Sequence, residues 1–415
     1  MKKKLLTGNG AAAWGARLAG ADYIPAFPIT PQTEIIETLA AWIDKGDFDS
    51  KLVTLESEHS MITTAGSAAA TGVRVFTATS SQGLLYGMEM LYTVAGWRAP
   101  FVMVNVSRGL SAPITLEPDH NDILAARDSG FLQIHCATCQ EVLDAILIAY
   151  RMAEDEQVRL PVIVNLDGFY LSFTREPVDI PSDDKVAKFL SPYDPGNIRF
   201  RASTPISQAV AVLGGGPYSY FRYETHLASL NALNVFDKIS EDFNKLFGRS
   251  YDAIEGYQSD DAEIVFLMIG AFATKAKDAV DILRESGQKV GLVRLRLVRP
   301  FPLDSLRKHL AGKRGVAVID QNLSLGSGGI LYSEVTSSLY GLKEAPIIAS
   351  FIGGLGGRDI NQEEFFEIAR VIKEAANKGE APPPRLLYTE RELKELRKLQ
   401  TLAHVERVGR REEER

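Results

Sequence analysis

Apolar residues along the chain recur with two periods. VTL, VRVFTA, APFVMVNVS, FLQIHC and LPVIVNLDG are short apolar runs that read as buried strands, and the segments between them carry helical spacing. The pattern centres on residues 53–84, VTLESEHSMITTAGSAAATGVRVFTATSSQGL, which predict strand, helix, strand and turn in that order. Glu56-Ser57-Glu58-His59-Ser60 offers caps and acids at the helix start, where negative charge is stabilised. The helix, over about 61–71, is built from Ala65, Gly66, Ser67, Ala68, Ala69 and Ala70 and has no bulky stripe. It must therefore lie close against another backbone, a partner chain or a flat ligand. Gly72 ends it, and Thr79-Ser80-Ser81-Gln82-Gly83 forms a polar turn at a strand's carboxyl end, where open α/β sheets bind ligands.

The flanking segments extend this scheme. Thr7-Gly8-Asn9-Gly10 precedes an Ala-rich helix ending near Gly20; it is either an anion-holding turn or, more simply, a cap. YIPAF reads as a strand, and the PITP loop leads into a helix beginning at Pro31-Gln32-Thr33. Thr30 is then either a hydroxyl facing a site or that helix's cap. Arg108, after APFVMVNVS, is either a cation for a carboxylate or phosphate or a solvated surface arginine. The segment 110–130 follows, with Asp119-His120-Asn121-Asp122 as a tempting metal cluster; adjacent residues seldom converge on one ion, so a mobile loop over a site is the preferred reading. Cys136-Ala137-Thr138-Cys139 is a CxxC, yet Thr138 to Glu141 also spells a capping box before EVLDAILIAYRMAED.

Residues 172–219 turn to Pro, Asp, Ser and Gly and predict a long irregular connection. A helix is expected over about 222–247, with Leu227, Leu230, Leu233, Phe236, Ile239, Phe243 and Leu246 on its apolar face. EIVFLMIGAF, KVGLVRLRLV, GVAVID and APIIASFI predict a second, smaller parallel sheet. The glycine runs at 326–329 and 353–357 lack a nucleotide-binding frame. The expected domains are 1–180, 181–260 (connection and helix), 261–358, and a charged helical tail over 359–415.

Composition narrows the class. The chain has 415 residues, 45% hydrophobic and 24% charged, with net charge -7, which argues against nucleic acid or an anionic membrane as partner. No apolar run reaches membrane-spanning length and MKKK is no secretory leader, so a cytoplasmic location is expected. Two cysteines fall short of the roughly four thiolates that an iron–sulfur cluster needs, so any such cluster belongs to another chain.

The set PITPQT, ESEH with its small-residue helix, FTATSSQGL, SRGLSAP, DHNDILAARDSGF, CQEVLDAILIAY and LDGFYLS resembles the α subunit of thiamine-pyrophosphate-dependent 2-oxoacid:ferredoxin oxidoreductases, over about residues 8–180. LRLVRPFP and GLGG resemble the family's second domain. The resemblance implies an α/β pyrimidine-type three-layer domain followed by a smaller transketolase-C-terminal-like domain. It implies that Glu58 hydrogen-bonds the aminopyrimidine of thiamine pyrophosphate and promotes its imino tautomer, with Glu56 as the rival acid. Pro28, Ile29 and Gln82 would lie at the cofactor, Thr30 and Arg108 at the 2-oxoacid, and 111–122 would be a flexible segment near it. A β subunit would supply the pyrophosphate and Mg2+ half, because no G-D-G motif stands in this chain. Gamma and ferredoxin-like delta subunits would complete the complex, with [4Fe-4S] clusters on partner subunits, coenzyme A as co-substrate and ferredoxin as acceptor.

Pyruvate is the expected substrate. Leu116-Glu117-Pro118 departs from the pyruvate pattern, which leaves an aryl 2-oxoacid such as phenylglyoxylate open, while Thr30 argues against an oxalate-specific relative. The rivals from other classes are a non-redox transketolase-like subunit and a non-catalytic structural subunit.

Overall fold

The computed structural model describes residues 2–196, 198–208 and 211–413 and contains two main sheets. The first runs in the order Leu297–Arg299, Leu132–His135, Val162–Asp167, Val102–Ser107, Phe76–Thr79. A parallel bridge between Tyr23 and Val75 adds the pair Tyr23–Ala26 and Lys51–Thr54 at its end. All pairings there are parallel except that of Leu297–Arg299. The second sheet is ordered Arg385–Leu386, Ile347–Ile352, Gly315–Asp320, Ile264–Met268, Val290–Leu295, Ile254–Tyr257, with only the last strand antiparallel. The α/β expectation holds in both.

Small residues set the helix packing. Helix Gly8–Ala19 is capped by Thr7, whose Oγ1 accepts from Gly10 N at 2.9 Å, so the TGNG turn is a cap. It lies so close to helix Cys139–Glu154 that a Cβ on Gly15 would come within 2.9 Å of Ile146. Helix Glu58–Ala70 approaches helix Met88–Gly96 in the same way, with a virtual Gly66 Cβ 2.5 Å from Val94. Its missing bulk is therefore explained on that face by a neighbouring helix of the same chain.

Several expected elements differ. The connection 172–219 contains a strand, Arg175–Ile180, paired antiparallel with Lys2–Thr7, and a helix, Asp183–Phe189. The long helix is Gly215–Phe247 and buries Ala228, Ala232, Val235, Phe236, Ile239 and Phe243, leaving Leu227 and Leu230 exposed. Small residues face the core there because helix Cys139–Glu154 lies alongside. The second sheet reaches beyond 261–358 at both ends. Helix Gln362–Lys378, within the expected tail, buries Phe365, Ile368 and Ile372 against it. Among the described residues, no helix is long and apolar enough to cross a membrane.

The run KVGLVRLRLV is not one strand. Val290–Leu295 belongs to the second sheet and Leu297–Arg299 to the first, so a single stretch joins both. Its two arginines are buried at the crossing, where Arg294 Nη2 donates to Glu141 Oε1 at 2.8 Å and Arg296 Nε donates to the same oxygen. Glu141 Oε2 accepts from Ala137 N at 2.8 Å, and Arg294 also reaches His135 O and Glu255. Burial alone would raise the Glu141 carboxyl, but Arg294 and then Arg296 outweigh it and hold its pKa at about 2.

Glu141→Gln should therefore cost about 3–5 kcal/mol, the usual loss when a buried ion pair keeps only one partner. The folded pKa is depressed, so the carboxylate's contribution is complete above the ordinary value of 4.5 and fades as pH falls towards about 2. Denaturation of wild type and variant across that window should show the stability gap narrowing on the acid side. A gap that did not change with pH would refute the charge assignment.

Candidate active site

The carboxyl ends of the first sheet's parallel strands open onto one edge, and the turns that follow them carry the candidate residues. After Tyr23–Ala26 comes the PITP loop, in which Pro28 and Thr30 are exposed and Ile29 is half-buried. Two buried amides hold this loop: Asn9 Nδ2 donates to Pro31 O and Gln32 Nε2 to Phe27 O, each at 2.9 Å. Thr30 is not a cap, since helix Thr33–Asp44 has Gln32 at its cap position.

After Lys51–Thr54 come the two acids. Glu56 is exposed and accepts from Ser60 Oγ, which lowers its pKa. Glu58, the first residue of its helix, is 5% exposed. Among the described residues, the other buried acids (Asp119, Asp122, Glu141, Asp144, Asp167 and Asp320) each accept a hydrogen bond. Among the described residues no other residue's donor reaches the Glu58 carboxylate, and burial raises its pKa against the opposing pull of its own N–H. Facing it is Gly83, where a Cβ would stand 2.4 Å from Glu58 Oε1 and 2.6 Å from Thr79 Oγ1. The hydroxyls of Thr79 and Ser80 are buried and unpartnered. Gly83 thus packs against the acid more closely than any residue with a Cβ could, beside polar atoms lacking partners. This fits an aromatic amine ring in need of an acceptor.

Arg108 is not a surface arginine; it is 6% exposed. Its Nη1 donates to Thr30 O at 2.7 Å and its Nη2 to Gln82 Oε1 at 2.9 Å, while Nε has no partner. Burial lowers the pKa of the guanidinium and Asp122 works against that. The structure therefore brings Thr30, Gln82 and Arg108 into contact across three turns. The expected polar turn at Gln82 is the start of helix Ser81–Tyr86. Beneath it lie residues the sequence reading missed: Asn105 Nδ2 donates to Asn165 Oδ1 at 2.8 Å, and Ser107 Oγ donates to Asp122 Oδ1 at 2.8 Å. Their signal was available, because Asn105 and Asn165 interrupt two apolar strands at the same register.

The segment 111–122 is not uniformly free. Residues 111–114 are exposed, but Asp119, His120 and Asp122 are buried, and His120 Nε2 lies 2.7 Å from Asp167 Oδ1. Burial opposes a charge on this imidazole, yet Asp167 prevails and raises its pKa. Among the described residues, no group of three or more His, Cys, Asp or Glu is placed to hold a metal ion. Both cysteines are buried and unbonded to each other, and burial pushes both thiols up, so neither is a poised thiolate. Thr138 caps its helix instead, accepting from Glu141 N at 3.2 Å. A thiol reagent at neutral pH should therefore label neither Cys136 nor Cys139 in the native protein and both after denaturation. Rapid labelling of either one in the native state would contradict this burial.

Residues 14–241 match the family model for the pyruvate flavodoxin/ferredoxin oxidoreductase thiamine-diphosphate-binding domain, and residues 262–365 match that for pyruvate:ferredoxin oxidoreductase core domain II. The pyruvate synthase subunit PorA of Pyrococcus abyssi is 40% identical over 382 residues, covering 92% of this chain and 96% of that one. The ketoisovalerate oxidoreductase subunit VorA of Pyrococcus horikoshii is 39% identical over 378 residues, covering 91% and 95%. In fold, the chain is similar to a 2-oxoglutarate:ferredoxin oxidoreductase from Magnetococcus marinus, with TM-score 0.70 and 20% identity, covering 90% of this chain and 65% of that one.

Proposed function

The chain belongs to the pyruvate flavodoxin/ferredoxin oxidoreductase family as an α subunit of a 2-oxoacid:ferredoxin oxidoreductase, and on that footing we propose that it supplies the pyrimidine and 2-oxoacid half of the catalytic site in a multi-subunit pyruvate-oxidising enzyme. Thiamine pyrophosphate, when bound, supplies the carbon nucleophile and electron sink that decarboxylation of a 2-oxoacid requires. Glu58 carries the reading. A buried carboxyl without another residue's donor, with a raised pKa, can hold a proton in a hydrogen bond to a ring nitrogen. Pro28, Ile29 and Gln82 frame the same edge. Arg108, with Nε unspent, binds the substrate carboxylate, and the exposed Thr30 hydroxyl lies on the loop whose carbonyl that arginine holds.

The remainder of the enzyme lies on other chains in this reading. A β subunit holds the pyrophosphate with Mg2+, gamma and delta subunits complete the complex, and [4Fe-4S] clusters on the partner subunits pass electrons to ferredoxin. Coenzyme A takes the acyl group, in a complex placed in the cytoplasm. The buried cysteines support putting the clusters elsewhere. The near-equal identity to a ketoisovalerate subunit makes a branched 2-oxoacid the second reading. Relative kcat/KM for pyruvate, 3-methyl-2-oxobutanoate and phenylglyoxylate, measured on the purified complex with coenzyme A and ferredoxin, decides among them. A preference for either of the last two overturns pyruvate.

Within that complex, Glu58→Gln should lower kcat by about 10²-fold or more, and Glu56→Gln should leave it near wild type. The reverse order would transfer the role to Glu56. Arg108→Ala should raise KM for the 2-oxoacid by roughly 10- to 100-fold, the worth of a charge-assisted contact, without weakening thiamine pyrophosphate binding. An unchanged KM with weaker cofactor or coenzyme A binding would remove the substrate role from Arg108.

A further inference from the structure

Asp122 stands behind the candidate site and touches neither Glu58 nor the open edge. It is fully buried, and its carboxylate gathers donors from three segments. Oδ2 accepts from Ser81 N at 3.0 Å, Asn105 Nδ2 at 3.0 Å and Arg108 N at 3.4 Å. Oδ1 accepts from Ser107 Oγ at 2.8 Å and Ile123 N at 2.7 Å. Ser81 and Arg108 begin the turns after two neighbouring strands, Phe76–Thr79 and Val102–Ser107, so one side chain ties both turns together.

Ser81 has φ of +48°, a left-handed conformation that a non-glycine residue holds only when its surroundings over-determine it. Besides the bond from its N–H to Asp122, its Oγ donates to Gly109 O at 3.0 Å and approaches Gln82 Oε1 at 2.7 Å. That Gln82 oxygen accepts from Arg108 Nη2. Asp122 is itself held in register by the second domain: His120 N donates to Gln321 O at 2.8 Å, Leu323 N to Asn121 Oδ1 at 3.0 Å, and Gly357 N to Pro118 O at 2.7 Å.

We propose that Asp122 is a positioning residue for the 2-oxoacid site: by fixing the Ser81 and Arg108 turns to one carboxylate, it sets Gln82 against Arg108 and so aims the guanidinium. The inference rests on the reading of Arg108 as the substrate cation. It goes further by assigning substrate affinity to a residue that does not touch substrate, on a segment anchored by the second domain.

The test is a double-mutant cycle in the assembled enzyme, with KM for pyruvate, kcat and thiamine pyrophosphate affinity measured for each variant. Asp122→Ala should raise KM roughly 5- to 50-fold, as expected for a coupled contact, with cofactor affinity unchanged. Asp122→Asn, which keeps one acceptor oxygen, should recover much of that loss. Combined with Arg108→Ala, neither substitution should raise KM further. If Asp122→Ala prevents assembly, Asp122→Asn and Gln82→Met complete the same cycle, the latter removing the acceptor for Arg108 Nη2. Effects that multiply in the Arg108→Ala background, or a loss of kcat and stability with KM unchanged, would overturn the proposal. If Arg108→Ala alone leaves KM unchanged, the substrate reading itself has failed, and the positioning role falls with it.

Discussion

A carboxylate taken out of water must be met by donors, and this constraint shapes the seam between the two sheets. Asp122 gathers the turns after two strands, Asp167 takes His120 on one oxygen and Ala271 N on the other, and Glu141 joins two arginines from the stretch shared by both sheets. Each of these acids is satisfied by groups distant in sequence, so each acts as a fastening. Glu58 departs from the rule. It is nearly as buried as they are, and among the described residues no other residue's donor answers it. Among the buried acids of the described residues only Glu58 lacks such a donor, and that asymmetry supports the proposal that a partner from outside the chain meets it.

The fastenings also explain why the second sheet matters to the first. Gly270, at φ +74°, would place a Cβ 2.8 Å from the His120 ring and 2.9 Å from Asp167 Oδ2, so the second domain's backbone approaches this ion pair as closely as glycine allows. The glycine run at 353–357, which lacks a nucleotide frame, serves a similar end. A Cβ on Gly357 would lie 2.5 Å from that of Glu117, and its N–H holds Pro118 O. Gly270 and Gly357 are thus points of close approach between the domains.

Period and punctuation made most of the strands, the small-residue helix and the strand-end turns legible. The split of KVGLVRLRLV was not legible, because nothing local distinguishes a strand that stays in one sheet from one that crosses to another. Arg108 reads equally as a surface or a buried cation until Thr30, Gln82 and Asp122 are seen around it, and those lie on other turns. The distinction between Glu56 and Glu58 was partly legible from the strand-to-helix junction. Their different electrostatics depend on Ser60 in one case and on burial, with Gly83 packed against the carboxyl, in the other. Asn105 and Asn165 were the missed clue, two amides facing each other inside apolar strands.

On the proposed function, Glu58 is the buried acid that thiamine pyrophosphate answers. Difference infrared titration of the carboxyl band, using Glu58→Gln and Glu56→Gln to assign it in the assembled enzyme, tests this directly. Without cofactor the Glu58 carboxyl should titrate above its ordinary value of 4.5 and Glu56 below it, and adding thiamine pyrophosphate should shift the Glu58 band alone. A Glu58 band that titrates at or below 4.5 and ignores the cofactor would contradict it.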